Sequence, residues 1–78
     1  MAATRTDRSQ RWLRDFGYRL RGLREAAGLS QADLAARADV HVTYLSSVER
    51  GRRNLSLVNI RALAEALEVE PGRLFEAP

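Results

Sequence analysis

Apolar residues along the chain recur at steps of three and four, and almost nowhere do they alternate one by one. Leu13, Phe16, Leu20, Leu23 and Ala27 make one stripe, which predicts a first helix over about Arg11 to Ala27. Gly17 and Gly22 lie inside it, each weakening a helix by about 1 kcal/mol relative to Ala. Gly28 stands where a helix-ending glycine belongs. A second helix starts at Ser30 as cap. Asp33 completes a variant capping box, and Leu29 with Leu34 has the spacing of a hydrophobic staple. This helix ends near Ala38. After the turn Asp39-Val40-His41, a third helix covers about Val42 to Arg50 and stops at Gly51. Ser56 caps a fourth, with Leu55 and Ile60 repeating the staple and Ile60, Leu63, Ala64 and Leu67 as its inner stripe. Pro71 can open a short fifth helix carrying Leu74 and Phe75. The expected architecture is all-α, a compact bundle of four to five helices. The first ten residues show no apolar period and read as a flexible basic arm, 1–10, before a single domain over 11–78.

Composition narrows the function. The chain has 78 residues and no cysteine, so one modest core must suffice without disulfides or thiolate metal sites. Its one histidine, His41, excludes a His-cluster zinc site. No apolar run approaches the ~18 residues of a membrane span, and the N-terminus lacks the apolar stretch of a signal peptide. A cytoplasmic protein without membrane contact is expected. The net charge is +3, and all 13 basic residues are arginine. Placement says more than the total: residues 1–55 carry a net +5 and residues 56–78 a net −2. Such asymmetry points to a polyanion-binding face beside a different kind of surface. No carboxylate pair stands beside a nucleophile and no Gly-rich phosphate loop occurs, so catalysis has no candidate residues, and neither cofactor nor small-molecule ligand is expected.

The second and third helices are short, narrow in their apolar face and joined by about three residues, the helix-turn-helix arrangement. In the third, Leu45 and Val48 face inward. Thr43, Ser46, Ser47 and Arg50 share the other side, at i, i+3, i+4 and i+7. That face is small, polar and free of acids, as entry into a major groove about 12 Å wide requires. By periodicity alone it could equally be a solvated helix face.

Specific residues add to this. Leu29-Ser30-Gln31-Ala32-Asp33-Leu34-Ala35, then Val40, Leu45, Ser46, Val48, Glu49 and Gly51, resemble the Cro/repressor-type (XRE) helix-turn-helix family, whose pattern is Q-x-x-L-A, a V five residues later, then I/L-S-x-I/V-E-x-G. The resemblance runs from about Leu20 to Phe75. The stretch His41 to Ser46, with Glu49-Arg50-Gly51, further resembles the controller proteins of restriction–modification systems. It implies a double-stranded-DNA-binding regulator, a homodimer on a palindromic operator. An antitoxin, or another protein-interaction module of the same fold with secondary DNA binding, is the alternative. The resemblance places Gln31 on a phosphate, Val42, Thr43 and Ser47 at base edges, Tyr44 and Ser46 at sugar-phosphate or bases, and Arg50, Arg52, Arg53 and Asn54 at the phosphate-contacting end. His41 takes a capping or phosphate-contacting place. Arg24 and Glu49 match a structural ion pair of phage repressors in the family. Relatives often carry Arg at the position of Val42, which here can offer only apolar contact, for instance to a thymine methyl. Leu57, Val58, Arg61, Val69, Leu74 and Phe75 are the candidate dimer surface. Trp12 and Phe16 read as core or interface residues.

Overall fold

The computed structural model describes residues 2–76; the outer ends of the expected arm and domain lie outside them. The elements are α1 (Arg5–Ala26), α2 (Gln31–Ala38), α3 (Val42–Glu49), α4 (Leu57–Leu67) and a 3-10 helix (Pro71–Phe75), with no strand among the described residues. The all-α expectation holds, and the terminal helix is of the tighter 3-10 type, with Pro71 in its first turn.

α1 corrects the sequence reading. It begins at Arg5 rather than about Arg11, so most of the expected arm is helical. The start is chemical rather than hydrophobic. The Thr4 hydroxyl accepts the Asp7 N–H at 3.1 Å, and the Asp7 carboxylate accepts the Thr4 N–H at 3.3 Å. This capping box satisfies two of the helix's orphan donors. Apolar periodicity marks only the part of a helix that is buried, so it missed these polar turns.

The other boundaries follow the predicted signals. Ser30 and Asp33 exchange the same two bonds at 3.0 and 3.1 Å, and the Ser56 hydroxyl accepts the Asn59 N–H at 3.1 Å. Asp39 takes the left-handed conformation that ends α2, at φ 55°. The bonds from Ser30 hold the Asp33 carboxyl below its ordinary range. Its folded pKa is thus lower than its unfolded one, so its contribution to stability is present above the ordinary Asp value of about 3.9. That contribution should fade as pH falls through the lowered folded value. Side-chain NMR titration should find Asp33 still ionised after an ordinary exposed aspartate has protonated; an unshifted midpoint would contradict the cap.

One core joins the helices. α1 packs on α3 and the 3-10 helix, and α2 on α3 and α4. Phe16, Leu20, Leu34, Leu45, Val48, Leu63 and Leu74 are buried at its centre. Leu74 is completely buried, so it is core and not docking surface, whereas its neighbour Phe75 is exposed. Phe75 lies against Phe16 at 5.4 Å and Trp12 at 6.1 Å between ring centroids. Trp12 itself is 70% exposed and takes no part in the core. Gly17 does more than weaken α1: a Cβ there would strike the Val48 carbonyl oxygen and lie 2.6 Å from that of Glu49. α1 and the end of α3 are therefore in backbone contact.

Candidate nucleic-acid interface

α2 and α3 meet through the Asp39–His41 turn, and α3 turns Leu45 and Val48 into the core. This leaves His41, Val42, Thr43 and Arg50 exposed, with Tyr44, Ser46 and Ser47 half-exposed beside them. His41 holds the cap position of α3 with extended backbone, but its ring makes no capping bond, so of the two places expected for it the side-chain cap is not the one taken. The Ser47 hydroxyl donates to the Thr43 carbonyl at 3.0 Å, one turn back, and keeps its lone pairs for another donor.

Behind this face lies an ion pair with nearly all its water removed. Arg24 Nε donates to Glu49 Oε2 at 2.6 Å and Nη2 to Oε1 at 3.0 Å, with side chains only 11% and 3% exposed. Its third nitrogen, Nη1, donates to the Leu29 carbonyl at 2.9 Å. The hydrogen bond to Glu49 raises the Arg24 pKa above its ordinary value, against the opposing effect of burial. Glu49 Oε1 also accepts from Gln31 Nε2 at 3.0 Å. One carboxylate thus ties α1, the first residue of α2 and the last of α3 together. Gln31, placed on phosphate by the resemblance, has one amide N–H held by Glu49 while the side chain stays half-exposed.

A second tie was not visible in the sequence. Asn59 Nδ2 donates to the Tyr44 hydroxyl at 3.0 Å, joining α3 to α4. The Arg53 guanidinium lies 5.8 Å from the Tyr44 ring centroid, within cation–π range. Tyr44 thus props the loop after α3 as well as facing outward. An Asn in the first turn of a capped helix carries no pattern that marks such a partner. Arg50, Arg52, Arg53 and Asn54 are all exposed. Gly51, between them, has φ 73°, and a Cβ on it would sit 2.7 Å from Arg14 Cα, so α1 crosses directly over this loop.

The remaining candidates divide. Leu57 is 84% and Val58 76% exposed; Phe75 and Arg61 are also exposed, and Arg61 pairs with Glu65 one turn on. Val69 is half-buried against the core. Among the described residues no cluster of His, Cys, Asp or Glu could hold a metal ion, and no helix is long and apolar enough to cross a membrane.

Two packed helices with a small polar face on the second, that face steadied by a buried ion pair and bordered by arginines, define a DNA-binding helix-turn-helix domain. The helix-turn-helix family model matches residues 20–74, and the chain belongs to that family, in its XRE-type branch of non-enzymatic transcriptional regulators. It is 44% identical over 62 residues to the control protein C.BamHI of Bacillus amyloliquefaciens, covering 78% of this chain and 76% of that protein. It is also 44% identical over 61 residues to the control protein C.MunI of Mycoplasma sp, covering 77% and 82%. The crystal structure of the restriction-modification controller protein C.AhdI from Aeromonas hydrophila superposes with a TM-score of 0.80 at 56% identity, over 81% of this chain and 96% of that one.

Proposed function

We propose that the protein is a sequence-specific controller of transcription in a restriction–modification system. It binds double-stranded DNA as a cytoplasmic homodimer, with α3 of each copy in the major groove of a palindromic operator. The observation that carries this is the acid-free outer face of α3, positioned by Glu49 relative to the start of α2. Val42, Thr43 and Ser47 meet base edges, with Val42 against a thymine methyl. Gln31, His41, Tyr44, Ser46, Arg50, Arg52, Arg53 and Asn54 line the phosphates around them. Similarity to three controller proteins supports the cellular role.

Dimerisation rests on the exposed apolar residues Leu57, Val58 and Phe75 and on Arg61, one turn after Leu57 on α4; isolated exposed apolar residues are ordinary, but Leu57 and Phe75 line one groove together with the exposed Trp12, and Val58 follows Leu57 directly. Val58→Asp should convert the dimer to a monomer in sedimentation without loss of helix content, and operator affinity should fall with it. Selection from a random duplex pool tests the whole reading. A pseudo-palindrome with half-sites about 10 bp apart, or a multiple of that, is expected. No enriched motif, together with a co-purifying protein partner, would favour the protein-interaction alternative.

A further inference from the structure

The N-terminal turns of α1 have no part in the interface proposed above, although the chain builds them with a complete capping box. Residues 4–11 contain no apolar side chain. A helix polar on every side gains nothing from packing on the core, so its purpose lies on its surface. That surface is basic. Arg5, Arg8, Arg11 and Arg14 follow at every third position and all are exposed. None has an ion-pair partner among the described residues, whereas Arg21, Arg24, Arg61 and Arg73 each have one. Asp7, the acid in the same stretch, is engaged with Thr4.

The α1 backbone at Arg14 rests on Gly51, in the middle of the Arg50–Arg53 loop. One turn and a half earlier, Ser9 lines a small cavity of about 140 Å³ with Trp12, Leu13 and Asn54. The helix therefore leaves the globule alongside the loop placed on phosphates. Arg5 to Arg14 then spread charge along about 14 Å of helix, at 1.5 Å per residue, each arginine turned about 60° from the one before.

We propose that the first turns of α1 are a second DNA contact, in which Arg5, Arg8 and Arg11 hold phosphates beyond those reached by Arg50, Arg52 and Arg53. This rests on the DNA-binding reading above and assigns the extension the sequence-independent part of affinity. A lipid surface is the poorer fit, because an interfacial helix needs an apolar face and residues 4–11 have none.

The test compares wild type with Arg5→Gln/Arg8→Gln/Arg11→Gln on the selected operator across a salt series. Gln has nearly the helix propensity of Arg, and Thr4, Asp7 and Arg14 stay in place, so circular dichroism should be unchanged. Each lost phosphate contact makes the slope of log affinity against log salt shallower by about 0.9. The variant should be shallower by about 2 or more and bind about tenfold weaker or worse at low salt, with the same preferred sequence. Arg5→Lys/Arg8→Lys/Arg11→Lys should restore the slope, because the slope counts phosphates neutralised and Lys neutralises one as Arg does. A wild-type slope in the Gln variant overturns the proposal while leaving the operator reading intact. So does a Lys variant that behaves like the Gln one, or loss of binding to phosphatidylserine vesicles with operator binding unchanged. If wild type selects no duplex, the DNA-binding reading falls and the proposal with it.

Discussion

Glu49→Ala should destabilise the domain by about 3–5 kcal/mol, because it leaves the Arg24 guanidinium buried without its counter-charge. For 78 residues the whole stability is of the order of 4–12 kcal/mol, so the variant should stand near its unfolding threshold. Urea unfolding read by circular dichroism gives the number. The attraction within the pair is not the main reason for so large a loss. Water solvates Arg24 in the unfolded chain, and in the folded variant only the Leu29 carbonyl remains of the acceptors it has now. Removing both charges should therefore be milder than removing one. Arg24→Met/Glu49→Leu should recover much of the lost stability, and a double variant as poor as the sum of the singles would show that the pair is not coupled. The double variant should still bind DNA poorly, since Gln31 also loses its acceptor on Glu49. Stability and recognition are thereby separable at this site.

Gly17→Ala should lower stability by about 2–3 kcal/mol, although Ala is the better helix former by about 1 kcal/mol. The added methyl would meet the Glu49 carbonyl group at 2.6 Å from its oxygen and 2.8 Å from its carbon, and the Val48 oxygen more closely still. These are backbone atoms and cannot rotate away, so α1 must move off α3. That movement would also strain the Arg24–Glu49 bonds, which span the same two helices. Gly22→Ala is the internal control. Nothing lies within 4 Å of a Cβ there, and the change should stabilise by about 0.5–1 kcal/mol. Thermal unfolding of the two variants should shift in opposite directions, and a shared direction would refute the close approach.

These two glycines show where sequence reading stops. Both appear in the chain as helix-weakening residues, and only the neighbouring helix distinguishes them. The same limit separates Leu74 from Phe75, adjacent apolar residues that a short helix turns to core and solvent respectively. Periodicity could not place Arg5 as the start of α1, because those turns bury nothing. The Arg24–Glu49 pair was legible through family resemblance, not through spacing. The bonds from Gln31 to Glu49 and from Asn59 to Tyr44 join residues 18 and 15 positions apart and left no mark in the pattern.

By itself the sequence determined the helices with buried faces, the caps at Ser30 and Ser56, the turn at Asp39 and the helix-turn-helix they enclose. Each depends on residues within about four positions of one another, where backbone geometry alone sets who meets whom. It also determined that the basic charge gathers before residue 56. Tertiary structure decided which of the two glycines within α1 meets a neighbouring backbone, which apolar side chains remain outside, and how one carboxylate, Glu49, ties three helices behind the outer face of α3. It also laid α1 at Arg14 across the loop at Gly51. Those outcomes depend on which distant surfaces come within ångströms of each other, and packing, not local propensity, sets that distance.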